Sequence, residues 1–143
     1  MSGLYSKCII GCESDCIRTI IKEMMDSIKS NYCLSAEEEY EFRLILNELI
    51  ANGTVHGNKN HYNKTISAKI EAIDLITIGI TIEDEGSGFD YHEFFTHEYP
   101  CDSNLYLERG RGLKLIKSFC DNICFNQTGN QIKIRKRIEK SPI

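Results

Sequence analysis

Three chemically different side chains lie four residues apart in the stretch LNELIANGTVHGNK: Glu48, Asn52 and His56. Residues four apart share one face of a helix, so Glu48 and Asn52 can point into the same volume. A carboxylate there can act as a general base, and an amide oxygen is a hard ligand suited to Mg²⁺. The alternative is a solvated polar face on a helix that ends at His56 and Gly57. Glycine favours helix termination, and a cation interacts favourably with the helix dipole at that end. The spacing alone leaves both open.

A second group, EDEGSGFD, follows an alternating apolar segment that predicts a strand. Gly86 and Gly88 allow backbone angles and close approach that other residues disfavour. Asp84, at the predicted strand end, can accept a hydrogen bond from an amino group such as that of adenine. An ordinary turn is the alternative. A dinucleotide fingerprint is excluded, because G-x-G-x-x-G requires glycine where Tyr91 stands and no βαβ unit follows.

A third group, ERGRGL at residues 108–113, is predicted to open a helix at Gly110. Backbone N–H groups at a helix N-terminus form an anion site, and flanking glycines let phosphate oxygens approach them. Arg109, Arg111 and Lys114 add positive charge, unless they are simply solvated. This motif alone is weak evidence for a phosphate site.

Hydrophobic periodicity predicts the elements that would position these groups. Ser35 and Glu38 have capping-box spacing, which predicts the start of the helix that carries Glu48. The predicted bounds are 7–13 for a short strand, 15–30 and 35–53 for two helices, 66–72 and 76–82 for antiparallel strands around a turn at 73–75, and 122–138 for a closing hairpin that turns at 128–130. This order predicts an α+β fold with helices on one face of a largely antiparallel sheet.

Composition limits the class of protein. The 143 residues, 41% of them hydrophobic, predict one domain over 1–143. No run approaches the roughly 20 apolar residues of a membrane span, and the N-terminus lacks a secretory signal, so we expect a cytoplasmic protein with no membrane contact.

The charges and cysteines make two further predictions. A net charge of −4 argues against direct nucleic-acid binding, and the basic run 133–137 is predicted to be the solvent side of a strand because it alternates with isoleucines. The seven cysteines have no C-x-x-C spacing, and an odd number without an export signal predicts reduced thiols. We expect them to be small buried hydrophobic residues.

The order of the three motifs adds to what each says alone. A helix with E-x-x-x-N, a strand ending in D-x-G-x-G-F and then G-x-G-L resembles the ATP-binding superfamily that includes gyrase, MutL and histidine kinases. The resemblance covers nearly the whole chain. It implies a Bergerat-type two-layer α/β sandwich, with helices on one face of a mixed, mostly antiparallel sheet.

Within that superfamily the chain most resembles the stand-alone bacterial anti-sigma-factor serine-protein kinases. NELIANGTVHGNK is similar to their E-x-x-x-N-x-x-x-H-G helix end, EDEGSGFD to their D-x-G-x-G-F-D, and GRGLKLIKSFCDNI to their glycine-rich helix start. The resemblance implies ATP and Mg²⁺ as ligands. Glu48 would be the general base, Asn52 the Mg²⁺ ligand and Asp84 the partner of the adenine amino group.

Residues 91–109 are a long polar stretch with no helical or strand period, which predicts a mobile lid. The family resemblance implies further nucleotide-contacting residues. These residues are Gly86, Gly88, Phe89, Gly110, Arg111, Gly112 and Leu113. His56 and Gly57 would end the helix rather than touch nucleotide.

The function implied is that of a cytoplasmic switch protein, which can form a homodimer. It would bind MgATP, sequester a sigma factor and phosphorylate a serine or threonine of a STAS-type anti-anti-sigma protein. A histidine kinase fragment is disfavoured, because the chain has no room for a sensor or a phospho-acceptor domain. Two alternatives are an ATP-binding module that sequesters a partner without kinase turnover, and an α+β domain that binds no nucleotide.

Overall fold

Alternating isoleucines give the central sheet one apolar face in the computed structural model. The structure describes residues 2–10, 14–53, 64–86 and 104–139, with only the backbone at residues 2, 14 and 104–111. The elements are β1 (Ser2–Ile10), α1 (Ser14–Asn31), α2 (Ala36–Ala51), β2 (Thr65–Asp74), β3 (Thr77–Asp84), α3 (Asn104–Phe119), β4 (Asn122–Phe125) and β5 (Gln131–Arg137).

The sheet has the strand order β1-β2-β3-β5-β4, and every described pairing is antiparallel. Its apolar face packs on the helices, while Ser67, Lys69, Lys133 and Arg135 on the opposite face are exposed. The predicted α+β fold with helices on one face of the sheet is therefore confirmed.

The core lies between this face and the apolar stripes of α1 and α2. Ile66, Ile80 and Ile134 of three strands are each fully buried there. Phe42, Leu46 and other apolar residues of α2 fill the opposite side. Both ends of α2 come close to strand ends, since Glu38 accepts a hydrogen bond from the Glu139 N–H just after β5 and Gly53 lies against Ile66 and Asp84.

Two local predictions were near the observed boundaries. Ser35 and Glu38 form the predicted capping box, with Ser35 as the N-cap of α2. The turn predicted at 73–75 is wrong by one to two residues, since β2 runs to Asp74 and the turn is Leu75 and Ile76. The Asp74 side chain accepts a hydrogen bond from the Ile76 N–H at 2.9 Å, which fixes the later turn.

The predicted start of the third helix was wrong. Helix α3 begins at Asn104, so Gly110 and Gly112 lie in its interior. Glycine costs a helix only about 1 kcal/mol relative to alanine, and the segment around Leu107 and Glu108 consists largely of good helix formers. Residues 104–109 are thus not part of an irregular lid, and 91–103 lie outside the described residues.

Two predictions about side-chain burial also need correction. Cys8, Cys16, Cys33 and Cys124 are exposed and Cys120 is half-buried, all five being free thiols. Lys136 of the basic run is 6% exposed, because strand alternation places it on the same face as Ile134 and Ile138. Lys133, Arg135 and Arg137 are exposed as predicted.

No helix within residues 14–53 and 104–139 is long and apolar enough to cross a membrane.

Candidate functional site

The last turn of α2 carries the carboxylate and the amide identified in the sequence. Asn52 follows the helix with helical backbone angles (φ −59°, ψ −43°), and its N–H bonds to the Glu48 and Leu49 carbonyls. Glu48 and Asn52 therefore lie one turn apart on the same face, as predicted. Glu48 is half-buried and Asn52 is 6% exposed. The alternative of a solvated polar face therefore does not apply to Asn52, because its side chain is buried.

The Asn52 amide nitrogen has no hydrogen-bond partner. It is the one buried side-chain nitrogen or oxygen without a partner in the described part of the chain. Leaving a buried donor unpaired costs about 1–3 kcal/mol, so an asparagine kept in such a place calls for an explanation beyond stability. A ligand that completes its contacts would supply one.

Gly112 of α3 lies directly against this pair. A methyl group built on Gly112 would overlap Glu48 Oε2 and would lie 3.4 Å from Glu48 Cδ and 3.8 Å from Asn52 Nδ2. The absence of a side chain at residue 112 therefore leaves room for the Glu48 carboxylate in its present position against α3. The structure brings together two of the three predicted motifs through this contact.

Gly53 connects the same helix end to the Asp84 motif. A methyl group on Gly53 would lie 2.6 Å from Ile66 Cδ1 and 3.8 Å from Asp84 Cβ. Asp84 is the last residue of β3 and pairs with Ile66 in the sheet. The α2 end, the end of β3 and Gly112 thus border one region.

The Asp84 motif begins as a tight turn fixed by its own carboxylate. Asp84 Oδ1 accepts a hydrogen bond from the Gly86 N–H at 2.7 Å. The backbone N–H of Asp84 donates to the Asn130 carbonyl at 2.9 Å, and the Asn130 side-chain amide donates to the Asp84 carbonyl at 3.0 Å. Both backbone groups of Asp84 are therefore held by one residue of the β4–β5 connection.

Several predicted site residues cannot be placed with this group. His56, Gly57, Gly88 and Phe89 lie outside the described residues. Gly110 and Arg111 belong to the backbone of α3, well after its first turn, so a helix N-terminus at Gly110 cannot bind phosphate. Leu113 is 1% exposed and packs in the core. Nucleotide contacts of these residues remain predictions.

Sequence reasoning did not identify Gly53, Asn126 or Asn130 as part of the site. The sequence predicts a hairpin turn at residues 128–130, in which Gly129 has the positive φ of 83°. The two asparagines that flank this turn were the available signal, since asparagine side chains commonly organise turns. Their link to Asp84 depends on the pairing of β3 with β5, which no local pattern encodes.

The match to a protein family agrees with this arrangement. The chain matches the histidine kinase-like ATPase domain over residues 13–136. Because the match covers most of the chain, the protein belongs to the histidine kinase-like ATPase domain family. A search of curated proteins found no match. The superfamily resemblance is thus confirmed, whereas membership among the anti-sigma-factor kinases remains a prediction.

The residues at the α2 end fit the Mg²⁺ ion that such a domain uses with ATP. Mg²⁺ prefers oxygen ligands, and a carboxylate and an amide lie side by side here. Rotation of the Asn52 amide exchanges its oxygen and nitrogen, so the unpaired group can present Oδ1 to an ion. The donor set and the unsatisfied amide both favour a metal site at Asn52.

Proposed function

We propose that this protein binds ATP with Mg²⁺ and transfers the γ-phosphate to a serine or threonine of a STAS-type anti-anti-sigma protein, and that it sequesters a sigma factor. The observation that carries the nucleotide part is the convergence of Glu48, the unpaired amide of Asn52 and Gly112 beside the Asp84 turn. The partner classes rest on the sequence resemblance. A cytoplasmic location and a homodimer belong to the same proposal.

Each motif has a separate part in nucleotide binding. Asp84 accepts a hydrogen bond from the adenine amino group, and the turn at Gly86 shapes the pocket around the base. Asn52 holds Mg²⁺ through its amide oxygen. The bound ion would neutralise charge on the phosphates and orient them. Gly88, Phe89, Gly110 and Arg111 are further proposed contacts.

Glu48 is the proposed general base. It accepts the proton of the partner hydroxyl as that oxygen forms a bond to the γ-phosphorus. The bond between the γ-phosphorus and the β–γ bridging oxygen breaks, and ADP leaves with that oxygen. The half-buried position of Glu48 against Gly112 limits where its carboxylate can lie. Positioning of this kind is the main contribution a protein makes to phosphoryl transfer.

Transfer of labelled phosphate tests the proposal directly. The protein is mixed with labelled ATP, Mg²⁺ and purified STAS proteins, and label on a partner serine or threonine is measured. We expect transfer by the wild type and none after chelation of Mg²⁺. ATP binding without transfer to any partner would favour the sequestering module instead, and absence of ATP binding by calorimetry would contradict the nucleotide part.

A sigma-factor pull-down tests the second part. The wild type is expected to retain a sigma factor in the presence of MgATP and to release it when an unphosphorylated STAS partner is added. Retention that is indifferent to both additions would contradict the switch.

A further inference from the structure

The turn between β4 and β5 contains a polar network that ends on Asp84. Asn126 Oδ1 accepts hydrogen bonds from three successive backbone N–H groups, at 2.8 Å from Gly129, 3.0 Å from Asn130 and 3.2 Å from Gln131. These bonds hold the turn in place, including the left-handed backbone of Gly129. The side chain of Asn126 thus organises the connection before the last strand.

The orientation of the Asn130 amide is fixed by the same network. Its Oδ1 accepts hydrogen bonds from Asn126 Nδ2 at 2.6 Å and from the Thr128 hydroxyl at 3.0 Å. Because the oxygen faces these two donors, the nitrogen faces the other way, where it donates to the Asp84 carbonyl at 3.0 Å. Asn130 is therefore a bridge between a rigid turn and the end of β3.

We infer that Asn130, held by Asn126, is a positioning residue that sets the selectivity of the site for adenine by fixing Asp84. This inference rests on the proposed nucleotide binding. Asp84 closes β3 with both backbone groups bonded to residue 130 and with Oδ1 bonded to Gly86. A carboxylate selects an amino group over a carbonyl only while its oxygens keep a defined place relative to the base edge.

The residue acts through Asp84 and not by touching the purine itself. Its two side-chain atoms are engaged with Asn126, Thr128 and the Asp84 backbone. Loss of the Asn130 donor removes a part-buried hydrogen bond from the Asp84 carbonyl at the point where β3 ends. The Asp84 backbone would then shift, and with it the carboxylate.

Comparison of ATP with inosine triphosphate tests the inference, because the latter has a carbonyl in place of the adenine amino group. The Asn130→Asp variant keeps the acceptor for Asn126 and Thr128 but replaces the donor to Asp84 with an oxygen. Its ATP affinity should fall roughly 5- to 20-fold, the range expected for one lost hydrogen bond to a part-buried group. Affinity for inosine triphosphate should change by less than about two-fold, since that ligand has no 6-amino group to donate to Asp84.

Two further variants separate position from charge and from folding. Gln127→Asp introduces the same charge on an exposed side chain three residues away that is not part of this network, and it should keep the wild-type ratio of the two affinities. Asn130→Ser removes the donor without adding charge, and it should lower the ratio as Asn130→Asp does. Thermal unfolding shows whether each variant is folded. If Asn130→Asp does not fold, the affinity ratio of Asn130→Ser tests the inference.

The outcomes distinguish this inference from the proposed function. A wild type that binds neither nucleotide contradicts the proposed function. A wild type that prefers ATP, together with Asn130 variants that lose affinity for both nucleotides equally, means that Asn130 only supports the fold and overturns the inference. Loss of the preference in both Asn130 variants, with Gln127→Asp unchanged, supports it.

Discussion

Helix α2 buries polar groups at both of its ends, and the two ends treat them differently. At the N-terminal end, Glu38 and Lys136 are 7% and 6% exposed, and both have partners. At the C-terminal end, Asn52 is equally buried, yet its amide nitrogen has none. Equal burial with unequal pairing distinguishes an end of the helix whose buried polar groups are all bonded from an end that leaves one amide without a partner.

The N-terminal end is closed by the protein itself. Glu38 accepts hydrogen bonds from the Ser35 and Glu139 backbone N–H groups at 2.9 and 2.8 Å. Lys136 donates to Glu41 at 3.2 Å and to the Phe119 carbonyl at 2.8 Å. These bonds join α2, α3 and the C-terminal segment. Their energetic role is to compensate for burying charge, which leaves nothing for a ligand to supply.

The C-terminal end instead contains a carboxylate beside an unpaired amide. If this difference is functional, substitutions at the two ends should affect different measurements. Changes at the N-terminal end should lower stability, and changes at the C-terminal end should lower nucleotide binding or phosphate transfer at unchanged stability.

The largest effect is expected for Glu48→Gln. The substitution keeps the shape and polarity of the side chain but removes the proton acceptor, so phosphate transfer should fall by roughly 10²–10⁴-fold. ATP affinity should stay within a few-fold. Single-turnover transfer and calorimetry measure the two quantities. Transfer at the wild-type rate would mean that Glu48 is not a base.

Lys136→Met should give the largest loss of stability. It leaves Glu41 and the Phe119 carbonyl without their cation in a buried place, which typically costs about 3 kcal/mol or more. Urea unfolding measures the change. Lys133→Met is the control, because Lys133 lies on the exposed face of the same strand. It should change stability by less than about 0.5 kcal/mol. A similar small effect for Lys136→Met would contradict a structural N-terminal end.

Gly112→Ala, in α3, should lower phosphate transfer without lowering stability. Alanine in a helix interior favours folding by about 0.5–1 kcal/mol relative to glycine, but here the added methyl overlaps the Glu48 carboxylate. The end of the Glu48 side chain can move aside, so stability should not fall. Displacement of a reacting group by about 1 Å can cost roughly 100-fold in rate, and transfer should drop at least 10-fold. A variant with full activity would show that Glu48 tolerates displacement.

Asn52→Ala tests the unpaired amide. Because the substitution removes a buried donor that has no partner, the free energy of unfolding should change by less than about 1 kcal/mol. Affinity for nucleotide in the presence of Mg²⁺ should fall about 10-fold or more, while affinity without Mg²⁺ should stay nearly constant. Titrations with and without the metal provide the comparison. Equal losses in both would remove Asn52 from the metal site.

The smallest effect concerns acid. Burial raises the pKa of Glu38, but hydrogen bonds from Ser35 and Glu139 and the charge of Lys136 outweigh this and lower it below its ordinary value. A carboxyl whose folded pKa is depressed stabilises the fold at neutral pH, and that contribution is lost as the pH falls through the folded pKa. Stability of the wild type should therefore decline more steeply in acid than stability of Glu38→Gln. Parallel curves from urea unfolding at several pH values would contradict this.

Much of the fold could be predicted because its signals are local. The capping box of Ser35 and Glu38, the helical spacing of Ile20 and Met24, and the alternation from Ile78 to Ile82 each depend on neighbours within a few residues. The order of the three motifs was equally available from the chain and led to the correct family. Local chemistry fixes which face of an element is apolar and where a helix can begin.

The start of α3 shows where such signals become ambiguous. Glycines at 110 and 112 indicated a boundary, yet the helix continues from Asn104 through both. The cost of a helical glycine is small, and Gly112 lies directly against the Glu48 carboxylate of α2. A residue that looks like a helix start is instead the point of contact between two helices.

The sequence by itself thus determined the elements, the apolar faces and the residue types of the site, while the tertiary structure decided which of them meet. Asn130 reaches Asp84 across 46 positions because β5 pairs with β3, and Lys136 is buried because that pairing turns its face toward α2. Such contacts depend on how strands and helices assemble over long sequence separations. A pattern that repeats every two or four residues carries information about a face but none about the partner that the face will meet.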